Sequence, residues 1–145
     1  IHPVLFEQPV LKSDLAGMKF VRDNTEVPVG ADESVFTAAD AIDIVRTGCA
    51  DAINIKLMKS CLVESLDIAA IARSANLKLM IGCMVETNLA LGCAVHFAAG
   101  VGGFEFIDLD PSFDASEGPA EGGPVYRAPY WIIGPEPGLG FRIRQ

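Results

Sequence analysis

Residues 51–83 read DAINIKLMKSCLVESLDIAAIARSANLKLMIGC and contain the pattern strand, helix, strand. Residues 51–58 are strand-like and rich in β-branched side chains, residues 62–76 place apolar side chains at helical spacing, and residues 77–83 form a second apolar run. Both runs are almost continuously apolar, as is typical of strands in a parallel sheet that is covered on both faces. This stretch therefore predicts one β-α-β unit of an α/β fold.

The same alternation continues on both sides of this unit. Thr37 and Gly48 are typical residues for the start and the end of a helix between them. Four strand–helix repeats followed by one more strand predict a parallel sheet with helices packed against it. The remaining predicted strands are 3–7, 27–32 and 104–110, and the remaining predicted helices are 13–24, 37–48 and 86–100.

The composition changes after Asp110. Residues 111–145 hold most of the prolines and much of the glycine, which predicts an extended tail with short strands that wraps over another surface. The chain also begins within a predicted strand and without Met, so we interpret it as a piece of a longer chain.

Acidic residues outnumber basic ones by 19 to 11, which gives a formal net charge of −8. This charge makes nucleic acid and anionic membranes poor partners and favours a metal ion or an ammonium-bearing ligand. The alternative interpretation is that the charge serves only to keep the protein soluble. No apolar run reaches the roughly 18 residues of a membrane span, and no basic segment followed by an apolar one opens these residues, so we expect neither a membrane span nor a signal peptide. The cysteines form no C-x-x-C pair, so we expect reduced thiols in a cytoplasmic protein rather than zinc or disulfides; they are Cys49, Cys61, Cys83 and Cys93.

Each predicted strand ends in, or leads to, polar residues. Taken alone, the acids are ordinary solvated or helix-start residues, and Cys83 and Met84 are ordinary packing residues. In βα folds, however, the carboxyl ends of the strands meet at one edge, where the chemistry takes place. Lys56 shares a face of an apolar strand with Asn54, so it points inwards and needs acidic partners. The full set is Glu7, Asp32 with Glu33, Asn54 and Lys56, Met84 and Glu86, and Asp108 with Asp110.

Asp108 and Asp110 lie two residues apart on a strand and therefore point to the same side. Like charges this close need a cation, and these residues alone leave open whether it is a metal, a buried Lys or Arg, or part of a substrate. Converging carboxylates favour Mg²⁺. A lysine beside that metal, with its pKa lowered by the positive charge, suits removal of a proton next to a carboxylate.

Five motifs resemble the enolase superfamily, in its muconate-lactonizing-enzyme-like branch. INIKLMK followed by MIGCMVET is the specific part of the resemblance, which covers residues 1–110 in the right order. The resemblance implies that residues 1–110 form strands four to eight of a modified (β/α)₈ barrel, and that the tail at 111–145 returns to a missing capping domain. The motifs are FEQP (6–9), GADES (30–34), DAINIKLMK (51–59), MIGCMVET (80–87) and FIDLD (106–110).

The resemblance also implies roles for the residues in these motifs. A Lys or His base that works with Mg²⁺ is a known pattern of this superfamily. Lys56 is expected to be the acid/base residue at the end of the sixth barrel strand. The other implied roles are Mg²⁺ ligands for Glu7 and Asp32, support of that site for Glu33 and Asn54, and substrate binding for Met84, Glu86, Asp108 and Asp110.

An Asp-x-Asp at the end of the eighth strand marks the dipeptide epimerases of this branch, in which both carboxylates bind the α-ammonium group of an unblocked dipeptide. Asp108 and Asp110 match that position. The resemblance therefore implies Mg²⁺-dependent epimerisation of dipeptides through an enolate, with the second side chain of the dipeptide left open.

Two alternatives stay open. N-acylamino acid racemases, o-succinylbenzoate synthases and cycloisomerases share the Mg²⁺ ligands and Lys56 but have less reason for an Asp-x-Asp. The family's Lys-x-Lys pair and third metal-binding acid are absent from these residues, so we expect the chain alone to be inactive and to need the rest of the barrel. A truncated barrel that serves as a binding or structural subunit is the non-enzyme alternative, and homo-oligomerisation is left open.

Overall fold

The computed structural model describes residues 2–110 and 120–144. Its main body is a five-stranded parallel sheet in which each strand pairs with the next one along the chain. This confirms the predicted alternation and brings the carboxyl ends of all five strands to one edge of the sheet. The elements are β1 (Phe6–Glu7), α1 (Leu15–Asp23), β2 (Val29–Ala31), α2 (Ala38–Thr47), β3 (Ala52–Ile55), α3 (Leu57–Ser74), β4 (Lys78–Gly82), α4 (Asn88–Val101) and β5 (Phe104–Asp108).

The core lies in the central strands and on the helix faces that cover them. Strands β2 and β3 are buried along their whole length, as expected for a parallel sheet with both faces occupied. Strand β3 therefore carries Asn54 into the interior, where its amide needs polar partners. The helices contribute Met18, Ala41, Ile44, Ile68, Ala69, Ala72, Leu91 and Val95 to this core.

Helix α2 begins and ends where the sequence predicts. The side-chain oxygen of Thr37 accepts a hydrogen bond from the backbone N–H of Asp40, and the carboxylate of Asp40 accepts one from the backbone N–H of Thr37. Gly48 adopts a left-handed conformation with φ of 60°, which a glycine tolerates without strain. These caps anchor α2 directly after the loop that carries Asp32.

Strand β3 is shorter than predicted, and an additional helical turn precedes the helix that the sequence predicts from residue 62. Leu57 and Met58 were predicted to extend the strand, but they form the first turn of α3, in which the backbone N–H of Lys59 bonds to the carbonyl of Lys56 at 2.9 Å. The helix then kinks at Cys61, whose φ of 57° and ψ of −178° are not helical. The alternating apolar residues of this stretch imitate a strand, whereas the backbone turns immediately after Lys56.

The tail forms two small antiparallel sheets. Strands β6 (Ala120–Gly122) and β9 (Phe141–Ile143) make one pair, and β7 (Val125–Arg127) and β8 (Tyr130–Ile132) make the other. The short strands expected in this segment are confirmed for residues 120–144, whereas residues 111–119 of the expected tail lie outside the described residues. The division into units 1–110 and 111–145 stays a prediction.

Two side-chain hydrogen bonds attach the tail to the main sheet and its last helix. The amide nitrogen of Asn88 donates to the carbonyl of Ala120 at 2.8 Å. The indole nitrogen of Trp131 donates to the carbonyl of Leu109 at 3.0 Å, between the two aspartates singled out in the sequence. In the part of the chain that the structure describes, no helix combines the length and the apolar character needed to cross a bilayer.

Candidate active site

The carboxyl edge of the sheet gathers four of the predicted site residues. Glu7 is the last residue of β1, Asp32 follows β2, Asn54 lies within β3 and Lys56 follows β3. Hydrogen bonds join them in two pairs, Asn54 with Glu7 and Lys56 with Asp32. The convergence predicted from the strand ends is therefore present in the structure.

Asp32 is the centre of this cluster. It is only 3% exposed, and its two carboxylate oxygens each accept a hydrogen bond of 2.6 Å from a different lysine. Lys56 binds Oδ2 and Lys59 binds Oδ1. Burial alone would raise the pKa of Asp32, but the hydrogen bonds and charges of the two lysines outweigh it and lower the pKa, so Asp32 is an anion at neutral pH.

Lys59 was not predicted as a site residue. Its side chain is 1% exposed, and its ammonium donates to three oxygens: Oδ1 of Asp32 at 2.6 Å, the carbonyl of Asp32 at 2.6 Å and the carbonyl of Asn54 at 3.0 Å. Burial is the main influence on the pKa of Lys59 and lowers it. The sequence signal that could have found it is its position three residues after Lys56, which a helix starting at Leu57 turns back towards the strand ends.

Lys56 is in a different situation from the one expected. Burial alone would lower its pKa, but the hydrogen bond and the charge of Asp32 are stronger, and the pKa of Lys56 is raised above the ordinary value. The sequence reasoning expected a pKa lowered by a neighbouring positive charge. In this structure the lysine is a protonated partner of Asp32, so it must leave that carboxylate before it can accept a proton.

Glu7 shares its pocket with an amide rather than with a base. Its Oε1 accepts a hydrogen bond of 2.5 Å from the amide nitrogen of Asn54. Burial raises the pKa of Glu7, and the charge of Asp32 raises it further, against the opposing influence of Asn54 and Lys56. The amide oxygen of Asn54 is buried and has no hydrogen-bond partner among the described residues, so this pocket has an unused oxygen next to two carboxylates.

Gly82, at the end of β4, makes room for these side chains. A Cβ at this position would come within 2.8 Å of the amide of Asn54 and 3.0 Å of Cε of Lys56. The aliphatic part of Lys56 therefore passes over a glycine of the neighbouring strand. No sequence pattern marked Gly82, because the need for a missing side chain depends on the strand register.

A second set of carboxylates lies near Cys83 at the end of β4. Burial raises the pKa of this thiol, a hydrogen bond with the backbone of Asp110 opposes that effect, and the negative charges of Glu86, Asp108 and Asp110 raise the pKa further, so the three acids are near enough to act on the thiol. Glu86 accepts a hydrogen bond from the backbone N–H of Met84 through Oε1, while its Oε2 is buried and has no hydrogen-bond partner in the described part of the chain. Three neighbouring acids with an unused oxygen favour a cation.

The remaining predicted residues, Glu33 and Met84, are both exposed. Glu33 is exposed, and its charge acts on both Lys56 and Lys59. Met84 is 44% exposed, in the loop between β4 and α4. Supporting the metal site and contacting substrate stay predictions for these two residues.

Beside the two lysines, the possible metal ligands near Asp32 are the oxygens of Glu7, Asp32 and Asn54, and oxygen ligands suit a hard cation such as Mg²⁺. Glu7 and Asp32 are close enough for the charge of Asp32 to raise the pKa of Glu7, and the amide of Asn54, which binds Glu7, has an oxygen without a hydrogen-bond partner among the described residues. Within residues 2–110 and 120–144, no three His, Cys, Asp or Glu side chains are grouped as a metal site. Mg²⁺ in proteins is commonly held by one or two carboxylates together with water and substrate, so these residues fit part of such a site.

A family profile described as "Enolase C-terminal domain-like" matches residues 1–145, the whole of the sequence. The chain belongs to this family. The superfamily inferred from the motifs is therefore confirmed, and the parallel five-stranded sheet is the C-terminal part of an enolase-type barrel.

Curated relatives of this enolase-family chain include dipeptide epimerases. It is 51% identical over 110 residues to an L-Ala-D/L-Glu epimerase of Thermotoga maritima, and 50% identical over 123 residues to an aromatic dipeptide epimerase of Herpetosiphon aurantiacus. These alignments cover 76% and 85% of this chain but 32% and 35% of the relatives. The chain thus spans about a third of the length of these curated relatives.

A solved structure supports the same fold. The dipeptide epimerase of Enterococcus faecalis V583, in complex with Mg and the dipeptide L-Leu-L-Tyr, matches with a TM-score of 0.89 at 40% identity. The match covers 95% of this chain and 40% of that one. This similarity confirms the fold, while the role of each site residue in this chain stays a prediction.

Proposed function

We propose that this chain supplies the C-terminal strands of a Mg²⁺-dependent dipeptide epimerase. The observation that carries the proposal is that one edge of the sheet holds two different charged groups. A lysine–carboxylate cluster lies around Asp32, and a group of acids lies around Cys83. The first suits proton transfer beside a metal, and the second suits recognition of a cationic group of the substrate.

The residues proposed to hold Mg²⁺ are Glu7 and Asp32. Bound there, Mg²⁺ would stabilise negative charge that develops on the substrate carboxylate. The oxygen of Asp32 that would turn to the metal is Oδ2, which now binds Lys56. Support for this assignment comes from the Mg named in the E. faecalis complex and from the oxygen donors at the ends of β1 and β2.

Lys56 is proposed as the residue that moves the proton. The C–H bond at the α-carbon of the second residue breaks, and its proton goes to neutral Nζ of Lys56. A second acid/base group on the opposite face then delivers a proton to the same carbon, which inverts it. In this proposal that second group, and a third metal ligand, come from parts of the barrel outside residues 1–145.

The acids around Cys83 are proposed to bind the ammonium group of the dipeptide. An ion-paired N⁺–H···O⁻ contact of about 2.7–2.9 Å is short and directional, and several carboxylates can surround one ammonium group. Asp108 pairs with Gly82 in the sheet, and Gly82 lies under the side chain of Lys56. The two functional groups are therefore at the same edge, two strands apart.

This spacing agrees with the length of a dipeptide. Neighbouring strands are roughly 4.8 Å apart, so the axes of β3 and β5 are separated by about 10 Å. Two residues of extended chain span about 7 Å, and the side chains of Lys56 and Asp108 can cover the remaining distance. A dipeptide can thus place its amino end at β5 and its second α-carbon near Lys56.

The second side chain of the dipeptide is left open. The curated relatives named above differ in this respect, since one is described as acting on L-Ala-D/L-Glu and the other on aromatic dipeptides. An N-acylamino acid racemase is the neighbouring activity that shares the cluster around Asp32. The assignments to the cytoplasm and to an oligomer stay predictions.

The test is a double substitution, Asp108→Asn with Asp110→Asn, in the complete protein. We expect the value of kcat/KM for free dipeptides to fall at least tenfold more than any value for N-acyl amino acids, because only the free dipeptide has an ammonium group that loses its charged partners. The matched control is Glu105→Gln, since Glu105 is on the same strand but pairs with Lys78 at the surface. Equal losses on both classes of substrate would refute ammonium recognition.

A further inference from the structure

Lys59 is a buried lysine that the proposed chemistry does not use. An ammonium group has three N–H donors, and each donor of Lys59 has an oxygen acceptor in the described part of the chain. Lys56, on the same carboxylate, has one acceptor there, and its side chain is 16% exposed against 1% for Lys59. The two lysines thus differ in hydrogen bonding. Lys56 has N–H donors without an acceptor among the described residues, whereas all three donors of Lys59 are bonded.

The contacts of Lys59 restrict the orientation of Asp32. The same ammonium binds Oδ1 and the main-chain carbonyl of Asp32, which closes a ring through the side chain of that residue. Rotation of the carboxylate would break a buried bond between opposite charges, which is costly. Oδ2 is therefore the oxygen that faces the site.

Lys59 also links neighbouring strands. Its third bond goes to the carbonyl of Asn54 in β3, while Asp32 follows β2. Because Lys59 lies in the first turn of α3, one side chain connects the ends of two strands with the start of a helix. This link joins the carboxylate proposed to bind Mg²⁺ to the strand that carries Asn54.

We propose that Lys59 is a positioning residue that holds Asp32 with Oδ2 turned to the cation and keeps its bond when Lys56 leaves to act on substrate. The inference rests on the proposed function, because it assumes that Asp32 binds Mg²⁺. Hydrogen-bonding partners of metal-binding carboxylates typically contribute 10–100-fold to metal affinity. If only the charge of Lys59 mattered, its removal should have the opposite effect, since the loss of a nearby positive charge should tighten cation binding.

The experiment measures binding of Mg²⁺ alone, without substrate, to the complete protein by isothermal titration calorimetry. Lys59→Met removes the charge and all donors at similar side-chain length, and Lys59→Gln keeps an N–H donor without the charge. Lys19→Met is the matched control, because Lys19 forms a surface ion pair with Asp23 on α1.

We expect Lys59→Met to weaken Mg²⁺ binding at least tenfold, Lys59→Gln to weaken it less, and Lys19→Met to leave it unchanged. Unchanged or tighter binding by Lys59→Met would overturn the inference while leaving the proposed function intact. Equal losses for the Met and Gln variants would refute orientation through hydrogen bonds. Absence of Mg²⁺ binding by the unaltered protein would refute the proposed function and the inference with it.

A crystal structure of the unaltered protein with Mg²⁺ bound keeps the inference testable if Lys59→Met does not fold. We expect Nζ of Lys59 to remain within hydrogen-bonding distance of Oδ1 of Asp32 and Nζ of Lys56 to have left Oδ2. A structure in which Lys59 has moved away from Asp32 would contradict the inference.

Discussion

The single residues at the carboxyl edge are proposed to carry the chemistry, and their surroundings determine what each can do. Asp32 binds two lysines, one with unused donors and one without. Glu7 lies one strand away with an amide partner, so its negative charge is only partly compensated. The negative charge of Asp32 is thus well neutralised, whereas that of Glu7 is not. A cation bound at this edge would compensate the charge of Glu7.

Glu7 provides a stability test of this imbalance. Its pKa is raised above 4.5 in the folded protein, chiefly by burial. Glu7 therefore contributes to stability when it is protonated, below its ordinary pKa. This contribution is lost as the pH rises through the raised pKa of the folded protein. Glu7→Gln, which still accepts a hydrogen bond from Asn54, is expected to raise the urea midpoint of the metal-free protein at pH 8, with a smaller gain at pH 5.

The control for this measurement is Glu33→Gln, since Glu33 is a neighbouring but exposed acid. We expect that substitution to change the midpoint by less than Glu7→Gln does. A midpoint that is unchanged or lower for Glu7→Gln at pH 8 would show that the buried charge of Glu7 does not destabilise the fold.

Much of the candidate site could be predicted at this scale. Glu7, Asp32, Asn54 and Lys56 follow from the rule that parallel strands end at one edge, and the structure brings them together. Lys59 was missed, because its spacing of three residues from Lys56 is informative only if the chain after Lys56 is a helix, and the sequence predicted a strand there. Gly82 was missed for a related reason, since only the pairing register of the strands shows which side chains pass over it.

Among the elements, the start of helix α3 departs most from the prediction. Its first turn supplies Lys59, and the turn is followed at once by Cys61 with φ of 57° and ψ of −178°. This combination is adopted almost only by glycine, because a Cβ collides with the neighbouring backbone. The kink lets a short turn present Lys59 to Asp32 before the longer part of the helix packs on the sheet.

Cys61→Gly tests whether this kink is strained. Backbone strain of this kind costs about 1–3 kcal/mol, and the extra freedom of glycine in the unfolded chain offsets about 0.5–1 kcal/mol of the relief. We therefore expect the free energy of unfolding, measured in urea, to rise by about 1 kcal/mol. Cys61→Ala keeps the Cβ and should give no such rise, so equal gains for the two variants would exclude strain as the cause.

The element boundaries show why the sequence prediction was only partly right. Helix α2 was predicted to begin after Thr37 and to end before Gly48, and both ends are confirmed, because its signals are local hydrogen bonds and a left-handed glycine. The end of β3 depends on packing and on a buried lysine. The apolar pattern alone predicted that β3 continues for three more residues, through Met58.

At the scale of the whole molecule, the five strands form an open sheet with β1 at one edge and β5 at the other. Apolar side chains are exposed on these two strands, with Phe6 46% and Ile107 62% exposed. Exposed edges of this kind pair readily with other chains. We propose that the remaining part of the barrel covers them, in agreement with a chain that spans about a third of its curated relatives.

The fold class was predictable because the repeat of strand and helix is regular and the helix caps are clear. The motifs added the superfamily, which the match over residues 1–145 confirms. The identity of the dipeptide could not be predicted, since no residue has a proposed role in binding its second side chain. The chain does contain Lys56, the lysine proposed as the acid/base residue, and the acids proposed to select a free amino group.

The central claim is that Lys56 moves the α-proton of a dipeptide, and its most direct test is isotope exchange. Free dipeptides with an L or a D second residue are incubated in deuterated water with the complete protein, and deuterium at the α-carbon is followed by mass. We expect the unaltered protein to exchange both epimers. Lys56→Ala should abolish epimerisation and lose exchange from one epimer while it still binds Mg²⁺. Exchange from both epimers by Lys56→Ala would contradict the assigned role.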